Sequence, residues 1–192
     1  MFSVRGGREA VSDAVDLAMV TQSALPAAFT FLFEQAGSLL ARWRGHRDTR
    51  AEMTAEQVPG ELVGSLSLPL ETDAARLEAR AGELNAYLLA LTRYRADPSL
   101  INTSDTALMA MLSQARDALE EIYGQRFTFL GEQRPGSGPF VSVRSKEVAG
   151  NLIGMEALEA IRGNAAVDLN VEIIQPGGKV VGMSAPIIED HR

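Results

Sequence analysis

Two periodicities divide the chain. Up to about residue 124 apolar positions recur every three or four residues; beyond it they recur every second residue. Residues 9–44 lack strand alternation, and residues 17–33 carry no charge until Glu34 ends the run. Proline fits the first turn of a helix but not its interior, so the helical run is kinked or broken near Pro26, a first helix ending near Ala24 and a second running from Pro26. In the second, which the pattern carries to Arg44, Phe29, Leu32, Phe33, Ala36, Leu39, Leu40 and Trp43 share one face, with Gly45 as C-terminal cap. Between residues 54 and 71, Pro59, Gly60, Gly64 and Pro69 forbid a long helix. There Leu62, Gly64, Leu66, Leu68 and Leu70 alternate, which predicts a short strand or extended segment. Thr72 or Asp73 caps the next helix, which runs to about Ala96 along Leu77, Ala81, Leu84, Leu88, Leu91 and Arg95; Asp97-Pro98-Ser99 breaks it. Asn102 or Thr103 caps the last helix, with Asp105 in its first turn, where negative charge is favoured. Leu108, Leu112, Ala115, Leu119 and Ile122 form its stripe, and Gly124 ends it. The last two helices make a helical hairpin.

After Gly124 the pattern predicts strands. Arg126, Thr128 and Leu130 alternate with Phe127, Phe129 and Gly131; residues 131–139, rich in glycine and proline, read as a mobile surface loop; and residues 140–143 form a second strand. A repeat follows. Gly150-Asn151-Leu152-Ile153-Gly154-Met155-Glu156-Ala157 returns further on as Gly178-Lys179-Val180-Val181-Gly182-Met183-Ser184-Ala185. Between them Gly163-Asn164-Ala165-Ala166-Val167 keeps the first glycine and loses the Gly-Met pair, giving units of about 13 to 15 residues. So short a unit supplies a strand and a turn and buries its apolar side only by stacking on the next. Apolar runs lie at 152–155, 167–174 and 180–183. In the middle run Val167, Leu169, Val171 and Ile173 point one way and Asp168, Asn170 and Glu172 the other, as in a half-exposed strand. Pro176-Gly177-Gly178 is a turn, and the helix formers at 155–160 allow a single helical turn at 157–161 as a competing reading.

The cadence of residues 148–155, 166–171 and 177–183 resembles the glycine/valine-repeat tails of effector-associated or accessory proteins in actinobacterial conflict (immunity-like) systems. There, small modules accompany NTPase, caspase-like or trypsin-like partners. The resemblance covers residues 126–188, about a third of the chain. It implies an adaptor or regulatory module in immunity-like signalling and carries over no catalytic residue. The fold expected is α+β: an N-terminal helical bundle over 1–124, then a small C-terminal β-repeat module of stacked or solenoid-like strands over 125–192.

Composition narrows the function classes. The net charge is −7, so bulk electrostatics oppose nucleic acid or an anionic membrane unless a local basic patch intervenes. Absence of cysteine removes disulfides, thiolate nucleophiles and sulfur metal sites, and fits a reducing cytoplasm. The first eight residues carry two arginines, with Glu9, Asp13 and Asp16 close behind, where a secretory signal would place an apolar core.

Familiar catalytic patterns are missing. No phosphate-binding Gly-x-x-x-x-Gly-Lys-Ser/Thr loop occurs, and Gly136-Ser137-Gly138 lacks the spacing of a nucleophile elbow. His46 and His191 come without a metal-ligand pattern. Glu9, Asp13 and Asp16, and separately Glu120 and Glu121, read as solvated helix faces. No cofactor and no metal are implied.

Two candidate contact surfaces are left. Arg42, Arg44, His46, Arg47 and Arg50 cluster around a helix end, suited either to opposing its partial negative charge or to holding an anion or partner. Asp168, Asn170 and Glu172 form the polar side of the central strand, a partner face. The function expected is a non-enzymatic, self-associating interaction module that binds a protein partner or a second copy. The alternative is a membrane-docked effector using residues 17–33 and the basic cluster 42–50.

Overall fold

The computed structural model describes residues 17, 19–45, 58–148, 150–156, 160–162, 166–184 and 186–189. It is a mixed α+β protein. Helix α1 spans Leu25–Gly45, α2 Ala74–Ala96 and α3 Thr106–Tyr123, with a short 3-10 turn, Pro98–Leu100, between α2 and α3. Strands follow: β1 Gln125–Arg126, β2 Gly138–Val148, β3 Asn151–Glu156, β4 Ala160–Arg162, β5 Ala166–Ile174, β6 Lys179–Ser184 and β7 Ile187–Glu189.

Helix boundaries follow local chemistry. Residues 19–24 form turns rather than helix, so Pro26 sits in the opening turn of α1, where its missing N–H costs nothing. Asp73 caps α2 by accepting the N–H groups of Ala75 and Arg76 at 3.0 and 3.1 Å. The cap of α3 differs from the expectation of Asn102 or Thr103: it is Asp105, whose carboxylate accepts Ala107 N–H and Leu108 N–H, both at 3.0 Å. Asn102 instead closes a turn of its own on Ser104 N–H at 2.9 Å. A full negative charge serves a helix N-terminus better than an amide does, and the Tyr94 hydroxyl fixes the Asp105 carboxylate at 2.8 Å. Gly124 ends α3 in the left-handed region at φ 59°.

The core lies among the three helices. Every pair of them is in contact, and α3 is buried on most sides, from Leu108 to Tyr123. Leu17, Val20, Ala24, Leu25, Ala28, Phe29, Phe31 and Leu32 are all buried, so the apolar side of the stretch 17–33 packs into the core, while Met19, Thr21, Gln22, Ser23, Pro26 and Thr30 are exposed. Trp43, expected on the apolar stripe of α1, is 42 % exposed at its last turn. Among the described residues no helix is long and apolar enough to cross a membrane.

The segment after Gly124 belongs to this core as much as to the strands. Only Gln125 and Arg126 form a ladder, antiparallel to Pro139 and Gly138. Phe127, Thr128 and Phe129 are all buried, so exposure does not alternate as a strand of 126–131 requires. Phe127 and Phe129 meet Phe31 edge-on at 5.3 and 6.1 Å between ring centroids, and Phe127 meets Tyr123 at 6.1 Å. The extended segment near Leu62 pairs through two isolated bridges, Leu62 with Phe129 and Gly64 with Ser137.

The remaining strands pair in parallel. β2 runs with β5, Phe140 opposite Ala166; β3 with β6, Asn151 opposite Lys179; β4 with β7, Ala160 opposite Ile187. The length of chain between partners is nearly the same in all three pairs. In the middle pair that offset is the sequence repeat itself: the two Gly-Met units lie side by side. Residues 157–159 are outside the described residues, and Ala160–Arg162 is strand where the competing reading placed a helical turn.

Candidate functional site

Of the basic cluster, Arg42 and Arg44 are described; His46, Arg47 and Arg50 lie outside the described residues. Arg42 folds back along its own helix, with Nε and a terminal nitrogen each 3.4 Å from the carbonyl and hydroxyl oxygens of Ser38. It also stands beside the Tyr123 hydroxyl, which donates to Gln35 Oε1 at 3.1 Å. Burial pushes the Tyr123 phenol up to about 12, and Arg42 offsets part of that shift. Arg44 crosses to α2 and donates to Asn85 Oδ1. Both arginines therefore hold helices together at the last turn of α1, where a cation also opposes the helix dipole.

The second predicted surface lies on β5. Asp168 pairs through its backbone with Ser142 and Asn170 with Arg144, and the Glu172 side chain is exposed. The side chains of Asp168 and Asn170 are outside the described residues. On the opposite face Val167 and Leu169 are half-buried and press on β3. A Cβ on Gly154 would stand 2.2 Å from Val167 Cγ1 and 3.2 Å from Leu169 Cδ2. The alternation stops short of Ile173, which with Ile174 is more than half exposed, 54 % and 53 %.

The most elaborate polar arrangement was not expected. Glu120 is 3 % exposed, not part of a solvated helix face. Its carboxylate takes a charged pair with Arg134 at 2.9 Å and accepts the Phe127 N–H at 2.7 Å. Four residues earlier on α3, Arg116 is fully buried and ion-paired with Glu132, itself fully buried. Glu132 Oε2 also accepts the Phe129 N–H at 2.7 Å. Two carboxylates thus each hold one main-chain amide of the segment that carries Phe127 and Phe129, and each is neutralised by an arginine. Glu121, the neighbour of Glu120, faces out and pairs with Arg80 of α2.

This clamp pins the surface loop expected at 131–139, whose Gly131, Gln133 and Pro135 are exposed. The Glu132 side chain and Ser137 are buried, and Ser137 Oγ accepts the Thr128 N–H at 2.8 Å. Gly131, at φ 101°, lies so close to the turn at Met19 that a Cβ would stand 2.5 Å from the Met19 carbonyl oxygen. The signal for the clamp was present in the sequence. Met109, Ser113, Arg116, Glu120 and Tyr123 follow one another at steps of four, three, four and three, a second stripe parallel to the leucine stripe. Both carboxylates are committed to arginines and amides, which suits them to holding the fold rather than to moving protons. Among the described residues no group of three or more His, Asp or Glu converges to hold a metal ion.

What lies open is the strand layer. Among the described residues β5, β6 and β7 have a strand neighbour on one side only. No protein-family model, characterised protein or solved structure matches the chain.

Proposed function

We propose that the chain is a non-enzymatic protein-interaction module, an adaptor or regulator in a bacterial conflict or signalling system, in which the helical core is the scaffold and the strand layer is the contact surface. The observation that carries this reading is the outer edge of β5, β6 and β7, which has no strand neighbour among the described residues. A strand edge presents a row of unmet N–H and C=O groups, and such a row recruits a further strand unless charge, proline or a covering element blocks it. Two exposed isoleucines, Ile173 and Ile174, lie on that edge beside the exposed Glu172. The near-constant offset between paired strands supports treating β2–β3–β4 and β5–β6–β7 as two successive rungs of one stack, the solenoid-like module that the repeat suggests. The resemblance to conflict-system repeat tails supplies the biological setting.

The competing membrane reading draws less support. Its apolar segment has a packing role in the core, and the two described arginines of its basic patch are engaged with Ser38 and Asn85.

Site-specific photocrosslinking in bacterial cells tests the proposal. A crosslinker at Glu172 or Ile173 is expected to trap protein, whereas one at Leu89, which is 67 % exposed on α2, is not. Equal trapping at both places, or trapping only from α2, would refute the assignment of the strand edge.

A further inference from the structure

We infer that the edge β5–β6–β7 receives β2–β3–β4 of a second copy of this chain, in parallel and in the register already used within it. The inference rests on the interaction-module reading above and names the partner. Three observations lead to it.

The first is register. Within one chain each strand of the first rung is followed, after a nearly constant length of chain, by its partner on the second. The two β3/β6 units carry the same Gly-Met pair at the same position, since Ile153 pairs with Val181 and Met155 with Met183. The surface offered by β6 is therefore a near copy of the surface that β3 offers to β6. A chain that accepts its own second rung on its first has, on its second, the template for another first rung.

The second is a gap with a matching side chain. At Gly154 the space a Cβ would need is filled by Val167 of the following rung. At Gly182, the equivalent position one rung on, no described atom lies within 4 Å of where a Cβ would stand. The residue that corresponds to Val167 on the first rung is its register partner, Val141. Val141 of an incoming copy thus reaches Gly182 as Val167 reaches Gly154.

The third is access at the other end. β1 and Gly124 hold the far edge of β2 only at Gly138, Pro139 and Phe140. From Val141 onward that edge is open among the described residues to the β5 of another copy. The two surfaces are different, so the contact is head-to-tail, and in-register stacking carries it on from copy to copy rather than closing a symmetric pair. Growth beyond a dimer follows.

The test uses the full chain in analytical ultracentrifugation over a wide concentration range. The wild type is expected to form a ladder of species larger than dimers. Gly182→Val fills the gap with the chain's own side chain and is expected to weaken assembly by roughly tenfold or more in apparent dissociation constant, with unchanged far-UV circular dichroism and melting temperature. Because its β2 edge is intact, it should also terminate growth when mixed into wild-type protein below equimolar amounts. Ile173→Lys places a charge on the outer edge and serves as an independent block if Gly182→Val folds poorly.

A wild type that stays monomeric, or stops at a closed dimer, overturns the inference. So does a Gly182→Val protein that assembles like the wild type. The parent reading fails separately. If the wild type is monomeric but a different protein protects the amides of 166–184 from hydrogen exchange, only the identity of the partner is lost; if nothing protects them, both fall.

Discussion

Removing the guanidinium of Arg116 is the sharpest probe of the clamp between α3 and the segment that follows it. Arg116 and Glu132 are both fully buried and paired with each other. Arg116→Met keeps most of the side-chain volume and leaves the Glu132 carboxylate in the interior, with the Phe129 N–H at 2.7 Å still donating to it. A single neutral donor does not replace a cation where water is excluded. Breaking one side of a buried pair costs about 3–5 kcal/mol, a large share of the roughly 5–15 kcal/mol that holds a domain folded. For a chain of this length, a Tm shift of about 2–4 °C per kcal/mol gives a drop of roughly 6–20 °C.

Glu132→Gln strands the charge of Arg116 instead and should cost a similar amount. The double variant removes both charges, while the glutamine carbonyl still accepts the Phe129 N–H. It should recover to within about 1–2 kcal/mol of wild type, because neutral replacement of a buried pair is often nearly neutral. Urea unfolding of the four proteins closes the cycle, with a coupling of about 2 kcal/mol or more expected. If Arg116→Met lies within about 1 kcal/mol of wild type, or the double variant loses the sum of the singles, the clamp does not act as described.

Gly154→Ala drives a methyl into Val167 and to 2.7 Å from the Gly182 carbonyl oxygen; it should cost about 1–3 kcal/mol or more, whereas Gly182→Ala should change monomer stability by less than about 0.5 kcal/mol, as read from thermal melts at low concentration. Asp105→Ala removes the α3 cap and should cost about 1 kcal/mol in urea unfolding. The Leu108 N–H, and then the Tyr94 hydroxyl, hold the Asp105 carboxyl below the usual carboxylate range. Its contribution is therefore present above the unfolded value near ~4 and is lost as pH falls below it; Asp105→Asn should flatten that part of the acid unfolding curve, and an unchanged curve would contradict the assignment. For Tyr123 the sign is opposite. Its phenol is raised to about 12, so the fold favours the protonated form, and stability intact below pH ~10 falls by up to about 3 kcal/mol as pH rises toward the folded value. Tyr123→Phe should remove that portion of the alkaline loss, followed by tyrosinate absorbance and circular dichroism together.

What could be read in advance was whatever a residue does with its near neighbours in the chain. Asp73 and Gly124 act within their own helix turns, and both were legible from residue type and spacing. The α3 cap was harder to place because Asn102 is also a ready local acceptor; beyond the charge of Asp105, the choice is fixed by Tyr94, eleven residues upstream of it, whose hydroxyl reaches only one of them. Glu120 was misplaced for a related reason. A carboxylate at that point of a helix is solvated unless something delivers a cation and an amide to it, and Arg134 and Phe127 arrive only when the chain folds back. Phe127 and Phe129 alternate like a strand, yet both enter the helical core, because Phe31 sits off the stripe used to orient α1 and meets both of them. The Gly-Met repeat was visible as the return of Gly150–Ala157 at Gly178–Ala185, but a period alone does not say that its two units lie next to each other in parallel. Of the two surfaces nominated from sequence, the basic one was chosen by charge density, and its described members are occupied with Ser38 and Asn85.

The even spacing of the strand pairs bears on how such a chain changes length over evolution. Paired strands are separated by nearly the same stretch of chain, whether counted from Phe140 to Ala166, from Asn151 to Lys179 or from Ala160 to Ile187. If the pairs stack as proposed, a tandem duplication of that length inserts a whole layer and leaves every existing pairing in register. An insertion of an odd number of residues within a strand shifts the inward side chains beyond it to the wrong face. Descendants should therefore gain or lose tail sequence in steps of one rung, and tolerate odd lengths only at the corners. The helical part has no such unit to copy: Phe31, Phe127, Arg116 and Glu132 each fit one place, so that half evolves by substitution while the tail can evolve by counting.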